Sequence, residues 1–140
     1  MSIKRLLLAV AAIFVTWQII DFIDHVVILS PVYAETEELW RPMAEMRMGL
    51  VRLVSLLGTT IFVFIYARLI AAKGLGTALR FGILWGLAHG TSMAYGTYAV
   101  MPIPYHMALV WFLGAVVQGA VAGLLAGWLV RAPAVEPAAA

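Results

Sequence analysis

Residues 4–29 read KRLLLAVAAIFVTWQIIDFIDHVVIL. Two basic residues precede an apolar run, 6–29, that is long enough as a helix to cross a hydrocarbon core of roughly 30 Å at about 1.5 Å per residue. Inside that run stand three titratable residues, Asp21, Asp24 and His25. The first feature decides the fold, and the second decides where to look for function. The rest of the 140-residue chain repeats the first feature: 64% of its residues are hydrophobic and only 11% are charged. A soluble domain carries about 25% charged residues, so this surface is too apolar to face water.

Further apolar runs cover about 48–71, 78–101 and 107–130, the run 78–101 being closed by Pro102 and Pro104. The expectation is an all-α, integral membrane four-helix bundle. It forms one domain over 1–131, with spans at about 6–29, 48–71, 78–101 and 107–130. The Pro/Ala-rich tail 132–140, APAVEPAAA, is expected to be disordered. A cleavable signal peptide would use the basic start and the VYA of 32–34, but the apolar run before it is too long for the core of one.

The basic residues flank the apolar runs, so the net charge of +2 speaks to topology and not to nucleic acid. Lys4, Arg5, Arg68, Lys73, Arg80 and Arg131 fall on one side; Arg41, Arg47 and Arg52 fall on the other. The excess places both termini in the cytoplasm. Asp21, Asp24, Glu35, Glu37, Glu38 and Glu45 then lie in the outward half, and Tyr33, Trp40, Tyr98, Tyr105 and Trp111 form an aromatic belt at its boundary. The connection SPVYAETEELWRPMAEMR, residues 30–47, reads as a surface-lying segment, with Pro42 opening the second helix at its first turn.

Two glycine ladders indicate close helix packing. Gly82, Gly86 and Gly90 repeat every four residues, as do Gly119, Gly123 and Gly127. Positions four apart stay on one helix face, and small residues let two backbones approach where lipid supplies no hydrophobic drive. The ladders serve either one bundle or a homo-oligomer.

The intramembrane polar residues are the candidate site: Asp21, Asp24, His25, Arg52, His89 and Gln118. Trp17, Asp21, Asp24, His25 and Ile28 share a face at helical spacing. Arg52 sits at the depth of Asp24 on the antiparallel second helix, so the two are expected to pair, either to orient a site or simply to fix helix register. Ser55 and Thr59 continue the polar face of Arg52. Asp21 is deeper, about 12 Å from the outer end of its helix, with no basic partner at its level. A charge at mid-bilayer costs about 2.5–3.5 kcal/mol on insertion scales, so such groups face the bundle interior and mark function. An acid there that exchanges a proton is what a proton-coupled site requires, and histidine titrates in the physiological range.

A softer pattern joins His25 to Met43, Met46 and Met48 as candidate copper ligands, since thioether and imidazole suit Cu(I); methionine equally fills apolar gaps. With no cysteine there are no disulfides and no thiolate metal sites. The chain lacks HExxH, a phosphate-cradling glycine loop and GxSxG, so no enzyme class and no cofactor is indicated.

LWRPMAEMRMGL at 39–50 and GTYAVMPIPYHMALVWFLG at 96–114, with the glycine-rich run after them, resemble small bacterial inner-membrane proteins of unknown function with four transmembrane helices. The resemblance covers nearly the whole chain; it implies fold and location, and no activity. The chain is also similar in size and span number to small multidrug-resistance transporters, which carry one membrane acid in helix one, although their surrounding motif is not present. It shares its size with the four-helix glutathione-handling membrane enzymes, without their polar signature.

The leading functional expectation is a transporter-like or ligand-binding inner-membrane protein with a proton- or cation-responsive polar site open outward. Asp21 is its binding group, Asp24 and Arg52 orient it, and His25 and His89 line it. The alternatives are a non-catalytic accessory subunit of a larger membrane complex and an outward-facing copper-binding protein.

Overall fold

The computed structural model describes residues 2–130; the tail 132–140 and Arg131 lie outside the described residues. Every regular element among the described residues is helical. Helix α1 (Ile3–Phe22) runs without a break into a π-helical turn, Ile23–Ile28, in which the Leu29 amide donates to the Asp24 carbonyl at 2.9 Å. Leu29, at φ −95° and ψ 0°, separates the two helical segments, and α2 (Ser30–Glu35) restarts the chain with Pro31 in its first turn. A first-turn amide has no intrahelical acceptor, so proline costs nothing there.

Two short 3₁₀ turns, Glu37–Leu39 and Met43–Glu45, lead to α3 (Met48–Phe64). Pro42, expected to open this helix, caps the second 3₁₀ turn instead; Met46 is extended, so α3 cannot start before Arg47. A second π turn, Ile65–Leu69, ends α3. Helix α4 (Leu75–Gly90), a third π turn (Thr91–Tyr95) and α5 (Gly96–Val100) form one continuous helical run, and α6 (Tyr105–Leu129) closes the described chain.

Three helical stretches are long and apolar enough to cross a membrane: Ile3–Ile28, Met48–Leu69 and Tyr105–Leu129. The run 75–100 has comparable length, but Arg80, His89, Thr91, Ser92, Thr97 and five glycines dilute its apolar content. Exposed side chains such as Leu7, Val15, Phe22, Leu53 and Trp128 point outward from these helices, as they would toward lipid.

Helices α4 and α6 make the closest contact. A Cβ on Gly86 would stand 2.8 Å from the Val116 Cα, and one on Gly119 would stand 2.9 Å from the Gly86 Cα. Gly82 faces Gly123 in the same way, Gly90 meets Phe112 and Ala115, and Gly127 lies against Ala78. The six ladder glycines therefore lie between these two helices.

Around this pair the core divides in two. Near the N-terminal end, Ile13, Trp17, Phe62, Tyr66 and Ala126 are buried together, with Phe81 and Trp85 against them. At the opposite end, called here the loop end, Leu29, Val32, Ile103, Met107 and Trp111 form a second cluster with Tyr33 and Trp40. Helix α3 joins only the first: its buried residues are Thr59, Phe62 and Val63, while Leu50, Val51, Leu53, Val54 and Leu57 are about half exposed. The first half of α3 thus stands away from the other helices.

The corner between α3 and α4 is tied by polar contacts. The Lys73 ammonium donates to the terminal carbonyls of Tyr66 (2.6 Å) and Ile70, and Gly74 turns the chain at φ 141°, a conformation open to glycine.

Candidate functional site

Helices α1 and α6 are joined by a reciprocal clasp. The Trp17 indole N–H donates to the Gln118 carbonyl at 3.0 Å. The Gln118 side-chain amide donates to Asp21 Oδ1 at 2.6 Å and reaches the Trp17 carbonyl at 3.5 Å. Because the Trp17 carbonyl can only accept, the amide nitrogen must face this way. Oδ1 of Asp21 is then an acceptor whatever the protonation state, which leaves Oδ2 as the oxygen that can gain or lose a proton without opening the clasp.

Asp24 lies one step along, in the π turn. Its carboxylate packs against Gly114 of α6, where a Cβ would overlap Oδ2. Gly114 therefore admits the carboxylate, a role separate from that of the ladder glycines. The π turn is itself informative: single π turns inside α-helices are rare and occur often at functional sites. It delays the chain by part of a turn, so that Asp24 and His25 both remain half-buried beside α6 while Val26, Val27 and Ile28 face outward.

His25 belongs to a polar-aromatic cluster at the loop end. Its Nδ1 is 2.6 Å from the Tyr33 hydroxyl, which also accepts from the Trp111 indole N–H at 3.2 Å. Trp40 packs edge-on against both Tyr33 (5.3 Å between ring centres) and Trp111 (6.1 Å). Trp40 in turn donates to the Thr36 hydroxyl at 3.0 Å. Burial holds the Tyr33 phenol above its usual range, with the Asp24 charge acting in the same direction and the Trp111 hydrogen bond opposing it. Tyr33 is therefore a neutral hydroxyl at ordinary pH, able to pass its hydrogen to His25 or to accept one from it.

Asp21 is within electrostatic reach of His25 and of His89, and Asp24 is within reach of His25 and Asp21. His89 is on the exposed side of α4, and Ser92 beside it is exposed too. Of the six polar residues read from the sequence, Asp21, Asp24, His25 and Gln118 thus gather along the α1–α6 seam, and His89 reaches Asp21 through its charge alone.

Arg52 does not join them. It is exposed, and among the described residues no ion pair connects it to Asp24. Helix α3 leans away at this level; its polar link to α1 is one turn further on, where Gln18 donates to the Ser55 hydroxyl at 3.1 Å. Met43, Met46 and Met48 are exposed on the connection and the start of α3. Among the described residues no group of three or more His, Cys, Asp or Glu side chains converges to hold a metal.

Tyr33, Trp111 and Gly114 are site residues that sequence reasoning assigned elsewhere or left out. The aromatic pair reads as a boundary belt, and Gly114 lies outside the ladder spacing. The helix restarts at Ser30, three residues before Tyr33, with Pro31 in its first turn, and Tyr33 then meets His25. Comparison with family models, curated proteins and solved structures finds no match to this chain.

Proposed function

We propose that this chain is a four-span bacterial inner-membrane protein with both termini in the cytoplasm, and that it serves as a transporter-like or ligand-binding protein through a proton- or cation-responsive site in its outward half. In this reading the run 75–100 is the remaining span, drawn into the membrane by its glycine contact with α6, and the loop end faces outward. Asp21 is the binding group. Gln118 holds one of its oxygens, Oδ2 exchanges the proton or receives the cation, and His25 relays protons through the Tyr33 hydroxyl toward the loop end.

The single observation that carries the reading is the 2.6 Å contact between Gln118 and Asp21. It fixes a titratable carboxyl well inside a span, with Asp24, His25 and His89 close enough to feel its charge. A purely structural contact between two helices would be served by a neutral pair, without a second acid and two histidines around it.

The test uses protein reconstituted in liposomes with an internal pH dye, challenged with gradients of inorganic and organic monovalent cations. Proton flux coupled to a cation gradient is expected, and Asp21→Asn is expected to abolish it while the protein still inserts. Flux that survives the substitution removes Asp21 from the role.

A second reading is favoured by the exposed first half of α3, which presents Leu50, Val54 and Leu57 together with Arg52. It is an accessory subunit that offers this face to a helix of a larger membrane complex. Purification from the host in mild detergent separates the two: foreign chains in fixed ratio support the accessory role, and a lone chain or homo-oligomer supports the site.

A further inference from the structure

A groove of about 480 Å³ lies at the loop end, between the 3₁₀ turns and the start of α3. That is within the roughly 300–1,000 Å³ of small-ligand clefts. Its walls are apolar, from Leu39, Trp40, Met46, Met48, Leu50 and Val51, and its only charged lining residues are Arg41 and Arg47. The acids of the same connection, Glu35, Glu37, Glu38 and Glu45, are exposed and do not line it. Among the described residues neither arginine forms an ion pair. The groove thus presents two unneutralised guanidinium groups at the top of an apolar channel, and that channel continues onto the exposed face of α3.

We infer that this groove seats one anionic phospholipid, its phosphate between Arg41 and Arg47 and an acyl chain along Leu50 and Val51. Guanidinium groups match phosphate in charge and in the geometry of paired N–H donors. Trp40 suits the headgroup level, where an indole has one wet and one apolar side. A free anion would leave six apolar lining residues unused, and a zwitterionic lipid would bring its own headgroup cation beside two guanidinium charges, whereas an anionic lipid offsets one of them and adds none. The position fits as well: Met48 begins a helix apolar enough to cross a membrane, so the connection just before it lies at headgroup depth. This inference stands apart from the site around Asp21 and does not depend on it.

The test is native mass spectrometry of the full chain released from nanodiscs of equal phosphatidylglycerol and phosphatidylcholine. The wild-type chain is expected to retain one phosphatidylglycerol in clear excess over phosphatidylcholine. Arg41→Gln with Arg47→Gln is expected to lower that retention by roughly tenfold or more. Arg41→Lys with Arg47→Lys should keep most of it, and Arg80→Gln, which removes one charge at the other end of the molecule, should keep all of it. All three positions are exposed, so the fold tolerates the changes. Equal retention of the two lipids, undiminished retention in the double glutamine variant, or full displacement by millimolar inorganic phosphate would each overturn the inference. Co-release of a protein chain in place of lipid would do the same.

Discussion

Gln118 of α6 and Asp21 of α1 are 97 residues apart in the chain and meet at 2.6 Å, amide to carboxylate. The contact does two things at once. It locks the two helices side by side, and it leaves one carboxyl oxygen of Asp21 uncommitted. Stability and titration are therefore separable at this residue.

Asp21→Asn keeps an acceptor for Gln118, so its thermal midpoint should stay within a few degrees of the wild-type value. Asp21→Leu leaves the half-buried Gln118 amide with only its 3.5 Å contact to the Trp17 carbonyl and should cost about 1–3 kcal/mol. Infrared titration of the carboxyl C=O band should lose one component in both variants. An unchanged infrared titration in Asp21→Asn would show that this carboxyl is not exchanging protons.

Gly86→Ala should destabilise the fold by about 1–3 kcal/mol, because the new methyl meets backbone atoms that cannot yield without separating α4 from α6. Gly96→Ala is the matched control. Its Cβ has open space and its backbone is helical, so a gain of up to about 1 kcal/mol is expected from helix propensity. Unfolding midpoints in detergent decide the comparison, and equal effects would contradict the close contact.

Tyr33→Phe removes the hydroxyl shared by His25 and Trp111, at an expected cost of about 1–2 kcal/mol. The variant should also alter pH dependence. The folded phenol titrates above its unfolded value, so its contribution is complete below about pH 10 and declines as pH rises further. Unfolding midpoints measured between pH 9 and pH 11, roughly the range of tyrosine titration, should fall more steeply in wild type than in Tyr33→Phe. Parallel curves would contradict the burial of this hydroxyl.

Gly74→Ala tests the α3–α4 corner. A Cβ there would meet open space, so the penalty comes from a φ of 141° that a side chain disfavours, on the order of 1–3 kcal/mol. Hydrogen exchange should accelerate in residues 65–73 in this variant. It should do so in Lys73→Ala as well, where the Tyr66 and Ile70 carbonyls lose their donor.

The glycine ladders were legible because their logic is local: four-residue spacing defines a helix face before any neighbour is known. The partner of Asp21 was not. Matching depth and opposite charge pointed Asp24 toward Arg52, yet those criteria are blind to which helices touch. Helix α3 packs by Phe62 and Tyr66 at one end and leans away at the other, which leaves Arg52 outside the seam. The π turn at Ile23–Ile28 has no composition of its own, so the half-buried setting it gives Asp24 and His25 was unreadable as well.

Composition and apolar run length, by themselves, determined that the chain is helical and suited to a membrane, since backbone groups in lipid must be satisfied within a helix or a closed barrel and the runs have helical length. They also determined which polar residues lie inside those runs. Tertiary structure alone decided that Gln118 and not Arg52 meets an aspartate of α1, and that Tyr33 and Trp111 close around His25. Such pairings depend on helix neighbours and tilt, and these arise from packing summed over many contacts far apart in the chain, which no local stretch encodes.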